Sequence, residues 1–227
     1  MTPPNALEKL VWDTRYPQCK QIASSTDIIF VFPATYASNS KVSGPEAVAR
    51  MQEGYLFLQS ATGADVTKHY GARTVVGIRD PAMDQGKECT PGWDEADYDK
   101  HTFTASWVNM PPSYVGKGGE YWGCADEGFQ PLELFTHEIA HPFAKLSGFA
   151  ERVHALQPDH GKTLVEGTCD YVRLAVAVAM GQTDLAVAMH GLILGDTPTT
   201  NDYWRYARVV RNIALCMGYC QIGRAHV

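Results

Sequence analysis

The chain has 227 residues, 45% hydrophobic and 19% charged, enough apolar material to bury a full-sized core and too much for bulk disorder. The formal net charge is −6, from 19 Lys+Arg against 25 Asp+Glu. With no basic cluster present, this argues against nucleic acid or an anionic membrane as the main partner. The longest apolar run, 174–180, is far short of the roughly 20 residues that span a bilayer.

The opening residues Met1-Thr2-Pro3-Pro4-Asn5 lack the basic and then apolar regions of a signal peptide. That start suits a cytosolic chain, or a mature domain given a start methionine. Residues 27–35 are a β-branched and aromatic run ending near Pro33, and read as a buried strand. Pro45 lies in the first turn of a predicted helix that opens at Gly44 and keeps an apolar face (Ala47, Met51, Tyr55, Leu58) to about residue 60. A second short strand is expected at 74–79. Residues 80–100 are rich in Asp, Glu, Gly and Pro without a period, and read as a loop. The acidic part of it, with Asp94, Glu95, Asp97 and Asp99, gathers oxygen ligands that suit calcium. It lacks the glycine turn and terminal glutamate of an EF-hand, so a solvated acidic loop is the expectation.

The alternation at 101–109 predicts a strand, stopped by Pro111 and Pro112. A glycine-rich loop fills 113–130. Helices are expected from 131 through at least 141, and over 163–180, 184–194 and 203–217. Strands first and helices afterwards point to an α+β fold in one domain, 1–222, with 223–227 set apart as an appended or disordered tail. Six cysteines are too dilute for a disulfide framework. Cys216 and Cys220, one helical turn apart, fit a bridge at a helix end or two reduced core residues.

The segment that carries chemistry is His137-Glu138-Ile139-Ala140-His141. Two histidines four apart on a helix share one face, so both imidazoles can reach the same ion. Glu138 between them is placed to take a proton from a water whose pKa zinc has lowered. The alternative is a helix that happens to carry two histidines, which in a chain of this composition arises in about one case in a hundred.

Two protein ligands leave zinc short of the usual three. Glu166 and Asp170 lie four apart on a helix that is otherwise apolar, where a carboxylate costs several kcal/mol unless paired or metal-bound. Glu166 is therefore the expected third ligand, and Asp170 the acceptor for the free ring N–H of a ligand histidine. The competing reading makes Glu166 a carboxylate at a helix N-terminus and Asp170 an exposed residue. The metzincin pattern is excluded, because Ala144 and Ser147 occupy the positions that its glycine and third histidine require. His154, Asp159 and His160 can ligate in principle, but none falls on a predicted apolar helix, and all three read as surface residues.

Residues 164–174, Leu-Val-Glu-Gly-Thr-Cys-Asp-Tyr-Val-Arg-Leu, closely resemble the stretch after the zinc helix in the plant-type basic secretory protein family. The likeness continues at Tyr203, Ala207 and Arg208, similar to that family's Tyr-x-x-x-Ala-Arg helix opening, and weakly back to the strand at 101–109. It spans about residues 100–215. This resemblance implies a zincin-like fold, with a small twisted β-sheet over the active-site helix and a helical C-terminal half. It also implies a gluzincin-type zinc peptidase with glutamate as third ligand, acting on peptides or proteins, and a secreted protein. It suggests Tyr203 as donor to the oxyanion, with Tyr206 and Tyr171 as rivals. The 101–109 strand would then be the sheet edge on which a peptide adds. Among the features that depart from the family are the acidic net charge, and Pro142 directly after His141, which is expected to kink or stop the helix. The rival class is a non-catalytic zinc-containing binding or defence module on the same fold.

Overall fold

Asn5 caps the first helix, α1 (Ala6–Arg15). Its side chain accepts from the Glu8 N–H at 2.9 Å, and a Glu8 carboxylate oxygen accepts from the Asn5 N–H at 2.7 Å. This reciprocal box satisfies donors that the helix cannot. The computed structural model describes residues 2–34, 43–78, 92–98, 103–110, 131–156, 161–179, 181, 183–195 and 203–216. They form a mixed α+β protein, dividing into two compact units, Met1–Phe143 and Ala144–Val227.

In the first unit α1 is followed by β1 (Gln21–Ser24) and β2 (Ile28–Phe32). Then come α2 (Gly44–Thr62), α3 (Val66–Tyr70), β3 (Thr74–Ile78), β4 (Gly92–Tyr98) and β5 (Phe103–Met110). The sheet order is β1-β2-β3-β5-β4. β2, β3 and β5 run parallel, and the flanking β1 and β4 are antiparallel to their neighbours. β2 and β3 are buried at every residue, as expected of uniformly apolar inner strands. α2 begins as the sequence indicates, with Ser43 as N-cap and Pro45 in the first turn, and it packs on β1 and β2. α1 packs on β3 and β5. At Gly77 in β3 the ring of the fully buried Tyr16 lies where any Cβ would sit, so only glycine admits it.

The second unit is helical. The helix α4 (Pro131–Leu146) crosses the division between the units, and α5 (Phe149–Leu156), α6 (Gly161–Ala179), α7 (Thr183–Leu194) and α8 (Tyr203–Cys216) follow. α6 is the hub, packed against α5, α7 and, most extensively, α8. It comes close to α8 at Gly167, where an added Cβ would lie 2.5 Å from the Tyr206 carbonyl carbon and 2.8 Å from the Ala207 nitrogen. None of the described helices is long and apolar enough to cross a membrane.

Four expectations are corrected. Residues 92–98 are a strand, not a loop, and the acidic residues Asp94, Glu95 and Asp97 lie in its ladder with β5. An edge strand tolerates such charge because one side faces away from the sheet, so composition alone suggests a loop. As a result, β5 is not the edge: β3 takes one side of it and β4 the other. A peptide cannot add there without displacing β4. Nor do strands simply precede helices, since α2 and α3 fall between the parallel strands β2 and β3, whose parallel pairing needs a crossover. Finally, the helix does not stop at Pro142: α4 continues to Leu146 with the proline inside it. Proline removes only one backbone donor, and the buried side chains on either side of it hold the helix in register.

Candidate metal centre

Phe135, Ile139 and Phe143 recur every fourth residue on α4 and are fully buried; Thr136 and Ala140 are buried beside them. Phe143 meets the ring of Tyr55 on α2 edge-on, centroids 5.0 Å apart. Burial pushes the Tyr55 phenol up from its ordinary value, outweighing its bonds with Thr67, so it stays protonated. It donates to the Thr67 hydroxyl at 3.1 Å and accepts from the Thr67 N–H at 2.8 Å. This packing fixes the rotation of α4 about its axis, and with it the direction of the polar residues between the apolar ones.

Those residues are His137, Glu138 and His141. His137 is 6% exposed and Glu138 8%, while His141 is half-buried. The two imidazole rings stand 5.2 Å apart between centroids, inclined at 74°. One nitrogen from each histidine and one Glu138 carboxylate oxygen all lie within 4.8 Å of one another, a group that could hold a metal ion. Ligands of a single tetrahedral ion at zinc-like bond lengths are about 3.4 Å apart, so a side-chain movement of roughly an ångström suffices. Two imidazoles with a carboxylate suit a borderline metal such as zinc. Glu138 is equally close enough to reach a water on an ion held by the histidines.

Glu166 and Asp170 occur in the second unit, both on α6, four residues apart as the sequence indicates. Glu166 is half-buried and Asp170 only 1% exposed, so the reading of Asp170 as a surface residue is overturned. An Asp170 carboxylate oxygen accepts from Arg173 Nη1 at 2.7 Å, and Arg173 is itself 4% exposed. An acid and a base three apart on an apolar helix have the spacing of an ion pair, which is the local signal for Arg173 in the sequence.

Tyr203 is the first residue of α8; Tyr206 on α8 and Tyr171 on α6 are both half-buried. His154 is exposed on α5, a helix that the sequence reading left out. Asp159, His160, Asp99, Cys220, residues 113–130 and the tail 223–227 lie outside the described residues.

No family model, no curated protein and no solved structure matches this chain. None of these comparisons identifies a basic secretory protein, and that likeness rests on the residues quoted for it. The structure thus defines a mixed α+β protein with one candidate metal centre among its described residues.

Proposed function

We propose that this chain is a zinc-dependent peptidase on a zincin-like fold, with His137, His141 and Glu166 as ligands and Glu138 as general base. The observation that carries the reading is the trio on α4, the buried His137 and Glu138 with the half-buried His141, two imidazoles and a carboxylate turned together within an apolar helix. Two imidazoles one helical turn apart can share an ion, with Glu138 near enough to reach a water bound to it.

Zinc, when bound, polarises a carbonyl and makes water more acidic. The chain's own residues do the rest. Glu138 accepts a proton from the attacking water as its oxygen adds to the scissile carbonyl carbon, and delivers it to the leaving nitrogen as the C–N bond breaks. Tyr203 donates a hydrogen bond to the oxygen that gains negative charge. Asp170 accepts the second N–H of a ligand histidine and so fixes which ring nitrogen faces the ion. A peptide or protein substrate and a secreted location belong to the same proposal.

The test is metal content by atomic emission together with cleavage of casein, for the wild type and for Glu138→Gln. Close to one zinc per chain in both, with hydrolysis lost in the variant by orders of magnitude, is the expected result. A wild type without transition metal overturns the site. Zinc present with no turnover that depends on Glu138 overturns the peptidase in favour of a zinc-containing binding module.

A further inference from the structure

The first unit holds a cavity of about 590 Å³, and no residue of α4 lines it. That volume falls within the roughly 300 to 1,000 Å³ of small-molecule sites. Its walls come from the segment before α1, α1 itself, the turn between β1 and β2, α3 and the turn into β3. Arg73 and Glu8 are its charged lining residues, and Thr2, Ser24, Ser25, Thr26 and Thr67 supply hydroxyls. Its apolar lining side chains are Pro3 and Ala72.

These walls select for an uncharged ligand. Glu8 pairs with Arg73, so an anion gains no net attraction and meets the Glu8 carboxylate. A cation finds no open oxygen there, because each Glu8 oxygen already accepts two hydrogen bonds, from Asn5 and Arg73. An apolar molecule would strip water from the hydroxyls for little contact in return. What remains is polar and only loosely bonded. Arg73 Nη1 meets the carbonyls of Thr2 and Ser25 at 3.4 Å each, beyond the roughly 2.7 to 3.2 Å of a good N–H···O bond. Ser25 Oγ lies 3.5 Å from the Ile28 carbonyl. The Thr67 hydroxyl accepts from Tyr55 at 3.1 Å and keeps its own proton to donate.

We propose that this cavity binds a small neutral polyhydroxylated molecule, a monosaccharide or a linear polyol, with Arg73 Nη1 as the central donor. A ligand hydroxyl accepts and donates at once, so one such group can take the Nη1 hydrogen bond and give its own to a wall carbonyl. The fork onto Glu8 already fixes the guanidinium, so little side-chain freedom is lost when a ligand arrives. The site is independent of the zinc reading.

The experiment is a titration of the full chain with glucose, sorbitol and inorganic phosphate, followed by ¹⁵N–¹H correlation NMR. It is repeated on the double variant Ser25→Ala/Thr26→Val. Polyols raise thermal midpoints by exclusion from any protein surface, so the readout is saturable movement of named amides rather than stability. The amides of Ser25, Thr26, Gly71 and Arg73 should move on a saturating curve with glucose or sorbitol, at a Kd of about 1 to 10 mM. The double variant should bind about tenfold more weakly. No saturation with either polyol up to about 100 mM, well above that range, overturns the proposal and leaves a cavity that holds water. Saturating shifts confined to amides away from these walls overturn the location, and phosphate binding tighter than either polyol overturns the neutral ligand in favour of an anion. Undiminished affinity in the double variant overturns the part given to the hydroxyls. If that variant does not fold, the position of the wild-type shifts decides alone.

Discussion

Arg73 forks onto Glu8: its Nε donates to one carboxylate oxygen at 2.9 Å and its Nη2 to the other at 2.8 Å. The Arg73 backbone N–H adds a third bond to the same carboxylate at 2.8 Å. The guanidinium also reaches the carbonyls of Pro3 and, more distantly, Thr2 and Ser25, so one buried side chain ties the N-terminal segment, α1 and the end of β1 to the start of β3. Glu8→Ala leaves that charge buried without its partner, and about 3 to 5 kcal/mol of stability should be lost in denaturant unfolding. A loss under about 1 kcal/mol, the level of an exposed pair, would show that the network contributes little.

Acid should expose the same pair. Burial by itself raises the Glu8 carboxyl, but the bonds from Arg73 and Asn5 and the charge of Arg73 outweigh it, and the net shift is downward. The folded protein therefore keeps Glu8 ionised at pH values where the unfolded chain has already taken up the proton. Its stabilisation is fully present above the ordinary glutamate value and disappears as pH falls from there through the depressed one. Unfolding midpoints measured down through the carboxylate range should fall more steeply for the wild type than for Glu8→Gln. Parallel curves would remove Glu8 as a source of acid lability.

Gly167 invites an opposite result from helix propensity. In an open helix Gly→Ala stabilises by roughly 1 kcal/mol. Here the new methyl meets the Tyr206 and Ala207 backbone, which cannot swing aside as a side chain can. Gly167→Ala should instead cost about 1 to 3 kcal/mol of stability. A variant as stable as the wild type would mean that the two helices part without penalty.

Among the carboxylates of α6 and its neighbour, zinc affinity should fall in a set order. On the proposed ligand set, Glu166→Ala removes a ligand and should be the most damaging. On the same proposal Asp170→Ala would leave all ligands in place but free an imidazole, an expected loss of about 10- to 100-fold. Glu151, exposed on α5, should be silent when changed to Ala. If Asp170→Ala were silent while His154→Ala stripped the metal, the ligand set would have to be drawn again.

Elements whose signal is local are legible along the chain. The β-branched runs at β2 and β3, the Pro45 entry of α2, the apolar period of α6 and the His-Glu-x-x-His spacing on α4 depend only on residues within a few turns or bonds of each other. The reach of both histidines to one ion follows from helical geometry alone, and the structure repeats it. Tertiary structure decided the rest. β1 is four residues long and β4 is acidic, and each becomes a strand only because a neighbour presents an open ladder to it. Pro142 stays helical because burial on both sides of it outweighs one missing hydrogen bond. The joining of Arg73 to Glu8 and the depth of Asp170 with Arg173 are likewise properties of packing. Whether a charge is solvated or enclosed depends on side chains far away in the chain, which no local period records.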